Sequence, residues 1–560
     1  MLTLSTSRLT VPAGGSAQVT VVIDTRLGGA DGYWTGRLLA RAGDAAVVTP
    51  LAVDREVESY DLTVTHRNRS GALTDGYYTV LLGLDDGTYR DVYGAGGETR
   101  IRVPKGRYGV QSLIFVDGDQ GWSEVSFLAQ PELVVAGNQR LALDARRAKP
   151  IRTTVPQRGA APLLIDLTAA WGFGDYYNSF GLWTDRFEGL YSAQIGRTVS
   201  DKVFVGALAS QWVEPTAPER SPYFYGLNEL FPGRFPTGFV RHYRPADLAT
   251  VTNRFAAGYA GMDNELVVYA ERDYNMGGSA IVLPVQVPGK RIDHLSVTRT
   301  RWSAELAFGE RAEEGWLEPR AALERVPTRY RAGHSYRDEW NKAPFGPSFP
   351  QPQWPEQGIT RTGDTVIVSL PVHSDAAGHP GGSLNDTEHT RLYRNGKLVD
   401  ESPYPGYGEF TVPPGTANYR LETSATRGFT DLSTEVTASW TFRSKRVPGD
   451  VPARLPAMAV RFTPPLAADS SAPAGRTFTV PVTVQRQPGA PSGRVVALTV
   501  DVSYDGGKTW QKAALKKQGG AWTATVRHPA GPGYASLRAT ARDDAGNTVT
   551  QRIIQAYRLR

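Results

Sequence analysis

The 560-residue chain contains no cysteine. That excludes disulfides, thiolate metal sites and a cysteine nucleophile. Complete absence over this length fits an exported bacterial chain that avoids free thiols. No apolar run approaches the roughly 20 residues of a membrane helix, so no membrane insertion is expected. Met1-Leu-Thr-Leu-Ser-Thr-Ser-Arg8 lacks the basic and apolar regions of a signal peptide. An exported composition without an export signal leads to the expectation that the chain is a piece of something longer. Strong charge is also missing. A net charge of +6 is small for the length, and short clusters such as Arg443-Ser-Lys-Arg446 read as solvated surface, so no nucleic-acid partner is expected. Catalytic signatures are missing too. There is no Gly-x-Ser-x-Gly elbow; the nearest string, Gly333-His-Ser-Tyr-Arg337, ends in arginine and sits in a loop. His-Glu-x-x-His, a P-loop and a dinucleotide fingerprint do not occur.

Glycine and proline are abundant, 59 and 39 residues, about a sixth of the chain. That suits turn-rich β structure and is too little for collagen or disorder. The prolines and glycines recur in one phrase: Pro-Xaa-Gly followed by an alternating strand. It occurs at Pro12-Ala-Gly14, Pro104-Lys-Gly106, Pro413-Pro-Gly415, Pro473-Ala-Gly475 and Pro529-Ala-Gly531. Proline presets φ and cannot donate to a ladder, and glycine can take the positive φ that closes a turn. After Gly415, Tyr419 and Leu421 alternate with Arg420 and Glu422, the period of a half-buried strand. The expected fold class is all-β, built of tandem β-sandwich modules.

Five regions follow. Residues 1–57 read as four strands (2–11, 17–24, 33–40, 46–53), about half of a fibronectin-like sandwich. Residues 58–148 read as a sandwich of short strands. Residues 160–360 read as a larger, aromatic-rich β domain with long loops; 302–324 has mixed periodicity, and the proline-rich 344–355 is expected to be a packed loop. Residues 361–446 read as another sandwich, with a hairpin at Asn395-Gly396. The stretch 447–456 reads as a linker, and 457–560 as an immunoglobulin-like sandwich.

Three candidate sites emerge. The densest polar cluster is His373, Asp375, His379, Asp386 and His389, whose imidazoles and carboxylates are the ligands a divalent metal uses. Asp117-Gly-Asp-Gln-Gly121 and Asp543-Asp-Ala-Gly-Asn547 carry the oxygens calcium needs, without completing an EF-hand loop; no cofactor is expected beyond calcium at these turns. In the aromatic segment 171–183, Trp171, Tyr176, Tyr177 and Trp183 could stack on sugar or peptide. An unrecognised hydrolase in 163–345, using His242, His334 or Asp175, is a further alternative.

Glu56-Val-Glu-Ser-Tyr-Asp-Leu62, Arg391-Leu-Tyr-Arg-Asn-Gly396, Pro405-Gly-Tyr-Gly-Glu-Phe410, Ala474-Gly-Arg-Thr-Phe-Thr-Val480 and Leu498-Thr-Val-Asp-Val-Ser-Tyr-Asp-Gly-Gly-Lys-Thr-Trp510 resemble the non-catalytic C-terminal region of large secreted subtilisin-like serine peptidases of actinobacteria. Val103-Pro-Lys-Gly-Arg-Tyr-Gly-Val110 resembles the transthyretin-like modules attached to secreted peptidases. The resemblance implies an extracellular accessory role: bracing a subtilisin-like catalytic domain, or binding a protein or polysaccharide substrate or a cell surface. A free-standing adhesion or carbohydrate-binding protein of the same modules is the alternative. The departure is equally informative. Subtilases carry Asp-Thr/Ser-Gly, His-Gly-Thr-His and Gly-Thr-Ser-Met/Ala in that order, and none occurs here. No triad residue carries over, so the chain is not expected to be an enzyme by itself.

Overall fold

The computed structural model describes residues 2–26, 30–118, 121–491 and 493–560. It is all-β, as the sequence leads one to expect: strands packed as face-to-face sheets, with a few single-turn 3-10 segments. The first half is a stack of four sheets. A three-stranded sheet (Gln139–Asp144, Ser59–Arg67, Glu98–Pro104) covers one face of a seven-stranded sheet that includes Gly106–Gly118 and Gly121–Val135. A second seven-stranded sheet, containing Ala161–Phe173, Phe204–Val213, Ala249–Phe255 and Ser335–Trp340, packs on its other face. A five-stranded sheet centred on Thr300–Arg311 closes the stack. The ambiguous stretch 302–324 is therefore two strands, Thr300–Arg311 and Leu317–Thr328.

Stacking explains a departure from simple alternation. Side chains of Gly121–Val135 point alternately into two different cores: Val125, Phe127 and Ala129 into one, Leu128 into the other. A strand covered on both faces has no solvent side, so its buried stretch 125–130 departs from polar–apolar alternation and buries even Ser126 and Gln130. In Ala161–Phe173, Ile165, Leu167, Ala169 and Trp171 face one core. Asp166, on the opposite face, meets Arg272 of the five-stranded sheet in a buried ion pair at 3.3 Å.

Sheets also cross the boundaries suggested by the sequence. Leu190–Gln194 pairs parallel with Val125–Ala129, so the region after 148 extends the sheet of the region before it. In the C-terminal half, Glu435–Ser444 pairs antiparallel with Thr548–Leu559, joining the last two regions in one nine-stranded sheet. The stretch 447–456 is not a free linker. Val447 bridges Gly363, Ala453–Arg454 pairs with Thr360 and Arg361, and Leu455 is buried. Edge strands offer unpaired N–H and C=O groups; here neighbouring regions fill them.

Local signals otherwise hold. Asn395 and Gly396 both have positive φ, 50° and 82°, in the two-residue hairpin between Thr387–Arg394 and Lys397–Ser402. Of the Pro-Xaa-Gly corners, Gly14, Gly475 and Gly531 use positive φ, whereas Gly106 and Gly415 do not. Residues 2–55 form two separate pairs, Leu2–Leu4 with Val21–Ile23 and the long hairpin Gly32–Ala42 with Ala45–Arg55. No described residue among them is buried.

Candidate functional site

The proline-rich loop after Trp340 threads between the central and C-terminal sheets, packed as expected. Proline supplies no N–H, so the loop is tied by side chains from elsewhere. Gln485 accepts from Phe349 N–H at 3.0 Å and donates to the Phe349 carbonyl at 2.7 Å. Arg461 donates to the carbonyls of Gly346 and Pro347, at 3.0 and 2.9 Å.

Beside this loop lies a buried ionic cluster. Asp375 is fully buried. Its Oδ1 accepts from the Gly378 and His379 N–H groups and its Oδ2 from the Asn341 N–H. His379 Nδ1 meets Asp375 Oδ2 at 2.9 Å, and its Nε2 meets Asp338 Oδ1 at 3.0 Å. The ring stacks on Trp340, centroids 4.0 Å apart and planes within 9°. Arg325 reaches the other Asp338 oxygen at 3.4 Å. Burial alone would lower the His379 imidazole. The charge of Asp375 and the hydrogen bonds to Asp338 and Asp375 outweigh it and raise the group to about 10. Burial would likewise raise the Asp338 carboxyl, but the His379 bond and Arg325 hold it below the usual carboxylate range. His379 is therefore an imidazolium clamped by two carboxylates.

That charge state decides what the cluster can do. A metal ligand or general base needs a neutral imidazole with a free lone pair, and here each ring nitrogen carries a proton held by an oxygen. Of the five residues predicted as metal ligands, His379 and Asp375 do come together, but with Asp338 rather than with the other three. His373 is buried close by and neutral, its group pushed well below its usual value by burial and by Arg427, and its Nε2 has no partner. Asp386 is exposed and His389 lies on the strand Thr387–Arg394, half-buried. Among the described residues no group of three His, Asp or Glu could hold a metal ion.

Since the folded value of His379 lies above the ordinary 6.5, its stabilisation is fully present below pH 6.5 and is lost as pH rises through about 10. The expected result is an imidazole ring still protonated at about pH 8 by NMR, with the thermal transition of the C-terminal half falling as pH climbs toward 10. A neutral ring at that pH would contradict the assignment.

Next to the cluster is a cavity of about 380 Å³ between the central loop 257–260 and the C-terminal loop 428–432. Tyr259, Phe345 and Phe429 are its aromatic walls, and Asp431 and Arg558 stand paired on one side. Asn341 lines it. This asparagine takes a left-handed φ of 58°, which Asn tolerates better than most residues. Its Nδ2 donates to the Ala257 carbonyl at 2.8 Å, which fixes the amide orientation, and its Oδ1 is buried with no partner. Behind the cavity wall, Arg427 is fully buried and donates through Nε and Nη2 to the Leu432 and Ser433 carbonyls. Its guanidinium lies 5.2 Å from the Phe345 ring centroid and makes no carboxylate ion pair among the described residues.

The aromatic segment disperses. Trp171 is 0% exposed, donates Nε1–H to the Pro131 carbonyl at 2.9 Å and packs edge-on against Phe180 and Phe204. It belongs to the core, not to a ligand surface. Tyr177 is half-buried and its hydroxyl donates to the Asp201 carbonyl. Tyr176 and Trp183 are exposed, 57% and 67%, on the edge strand Tyr176–Thr184. They are seven residues apart, an odd number, so they point to opposite faces of the sheet and do not form one platform.

The Asp543–Asn547 oxygens are taken up within a turn. Asp543 accepts from the Asn547 backbone N–H and Nδ2, both at 2.8 Å, and Asp544 accepts from the Arg494 N–H. The Asp117–Gly121 candidate rests on residues 119 and 120, which lie outside the described residues. His242 bonds Thr154, and His334 bonds the Ala332 carbonyl in an exposed loop. Asp175, on the turn before Tyr176–Thr184, accepts from Asn275 through its carbonyl. Nothing brings these three together. The sequence offered no sign of Asp338, Asn341, Arg427 or Arg461, whose partners are brought in by other strands.

No protein-family model and no curated protein matches the chain. Several solved structures show a weak likeness to the chain. The fibronectin(III)-like modules of Clostridium thermocellum CbhA are 14% identical over 37% of this chain and 90% of that one, with a TM-score of 0.14. A chimeric titin Z1Z2 tandem is 16% identical over 38% of this chain and 97% of that one, also at 0.14. Escherichia coli alpha-2-macroglobulin is 12% identical over 90% of this chain and 42% of that one, again at 0.14. Scores this low carry no argument beyond the all-β architecture already evident from the sheets.

Proposed function

We propose that the chain is the non-catalytic accessory half of a secreted subtilisin-like peptidase: a rigid β array that braces a catalytic unit and holds substrate or a cell surface near it. One observation carries the non-catalytic part. Among the described residues no histidine hydrogen-bonds a serine hydroxyl, and the one imidazole bonded to carboxylates has both nitrogens occupied. The hydroxyls that histidines meet among the described residues include those of Thr79, Thr154 and Thr250, none of them the serine a subtilisin-like site uses as nucleophile. Sheets shared across regions, Glu435–Ser444 with Thr548–Leu559 above all, support a stiff scaffold over a flexible string. The extracellular setting and the peptidase link rest on the sequence resemblance and the absence of cysteine. No helix among the described residues is long and apolar enough to cross a membrane.

Purified full-length chain is expected to give no turnover of casein or of aryl glycosides. Added to, or fused behind, a subtilisin-like catalytic domain, it is expected to change kcat/KM on protein substrates while leaving small peptides unaffected. Turnover by the chain alone that persists through purification sinks the first part. An unchanged kcat/KM on proteins sinks the second.

A further inference from the structure

The C-terminal region carries a charge that the rest of the chain does not. Residues 457–560 hold fourteen lysines and arginines against five aspartates and no glutamate, although the whole chain nets only +6. Such an asymmetry points to a partner of opposite sign. The charge gathers at one end of the region, in a cavity of about 340 Å³ where the four-stranded sheet meets the nine-stranded one. Arg486 ends the strand Thr477–Arg486, and Arg494 leads into Val495–Ser503. Lys517 stands just before the Gly519-Gly520 turn that joins Ala514–Gln518 to Ala521–Arg527. All three line the cavity and are exposed. None makes an ion pair or a side-chain hydrogen bond among the described residues. The Lys517 ammonium is held instead by the Trp522 ring, 5.1 Å from its centroid. Among the described residues no carboxylate lines the cavity. The two acids at this end are turned to backbone: Asp543 accepts from the Asn547 N–H and Asp544 from the Arg494 N–H. A concave site lined by one sign of charge, with apolar walls of Val484, Val495 and Trp522, focuses its field and concentrates counter-ions.

We propose that this end of the C-terminal region binds a linear phosphate polymer, a chain of sugar- or polyol-phosphate repeats. The guanidinium groups of Arg486 and Arg494 present the planar fork that takes two phosphate oxygens at once, and Lys517 acts as a point charge. A chain that brings a phosphate at every repeat supplies an anion for each of the three cations, whereas a lone carboxylate neutralises one. Nucleic acid fits less well. Its bases need open aromatic faces to stack on, and the one aromatic lining the cavity, Trp522, is half-buried with Lys517 over its ring. The inference rests on reading the array as one that holds a cell surface, and it names the chemistry of that surface.

The test is calorimetric titration of the full chain with long-chain polyphosphate as the probe. Saturable binding is expected, and it is expected to weaken on the order of tenfold between about 50 and about 200 mM salt, as the counter-ions released by three cations require. Two triple variants locate the site. Arg486→Gln with Arg494→Gln and Lys517→Gln is expected to weaken binding at least about tenfold, with the melting temperature unchanged because the three side chains are exposed and unpaired. Arg476→Gln with Lys508→Gln and Arg527→Gln removes the same charge from exposed positions at the opposite end of the same strands, and is expected to weaken binding far less. Equal loss in the two variants would reduce the effect to net charge and overturn the site. Absence of saturable polyphosphate binding overturns it as well. Inorganic phosphate that competes at the same phosphate concentration makes the free ion the ligand and overturns the polymer. An oligodeoxynucleotide that binds more tightly than polyphosphate brings the bases into recognition and also overturns it. None of these outcomes enters the turnover and kcat/KM measurements, so failure here is distinguishable from failure of the accessory reading.

Discussion

Asp375→Ala is expected to destabilise the C-terminal half by about 3–5 kcal/mol, the cost of stripping one partner from a buried ion pair. The size follows from what Asp375 holds. Its two oxygens accept from three backbone N–H groups and from the His379 ring. Removing them leaves the His379 imidazolium with Asp338 alone and orphans buried donors of two loops. Arg461, which burial lowers to about 10 but leaves charged at neutral pH, also loses the nearest countercharge. In a unit of roughly 200 residues that loss corresponds to a fall of about 10 °C in the melting transition. Differential scanning calorimetry reads it. The two cores on either face of Gly121–Val135, which are separate from the one the cluster adjoins, are expected to melt where they did before. Glu401→Ala is the control. It breaks the exposed pair with Arg391, 2.9 Å apart on the surface, and screening leaves such pairs with little net effect. A normal transition in Asp375→Ala would show that the cluster does not stabilise that half.

Trp171→Ala is expected to cost about 3–5 kcal/mol in the first half. Trp171 fills the core between the two seven-stranded sheets, and its indole N–H is spent on Pro131. The fit is tight. A Cβ placed on Gly109 would lie 2.3 Å from Trp171 Nε1, so the indole occupies space that only glycine leaves open. Alanine leaves a cavity that the surrounding sheets cannot close. Trp183→Ala, on the exposed edge strand, is expected to leave the midpoint in place. Equilibrium denaturation followed by tryptophan fluorescence separates them. Equal, small effects would return Trp171 to the surface role that its place in an aromatic-rich segment suggests.

That pair shows how far the sequence reaches. Trp171 and Trp183 sit in the same run of aromatics, and composition cannot rank them. The difference arises because Ala161–Phe173 is an inner strand of a stacked sheet, while Tyr176–Thr184 is its edge. Similarly, Asp375 and His379 stand out locally, four residues apart in a polar loop. Their nearness to one another was legible, and their chemistry was not. Whether an imidazole is a free base, a metal ligand or a clamped cation depends on Asp338, 41 positions before His379 in the numbering. That carboxylate arrives by the strand Ser335–Trp340. Calcium at Asp543 fails to be decided by its sequence for the same reason: the turn donors of Asn547 occupy oxygens that spacing alone leaves open.

By itself the sequence determined the all-β class, the Asn395-Gly396 hairpin, most strand positions and the lack of a catalytic motif. These are properties of neighbours along the chain: period-two alternation, turn chemistry and the presence or absence of short phrases. The tertiary structure alone decided that sheets run across the expected boundaries, that 447–456 is held down, and that His379 is clamped between Asp338 and Asp375. Those are decided by strand pairing and burial between residues far apart in sequence, and no local pattern encodes which edge a distant strand will fill.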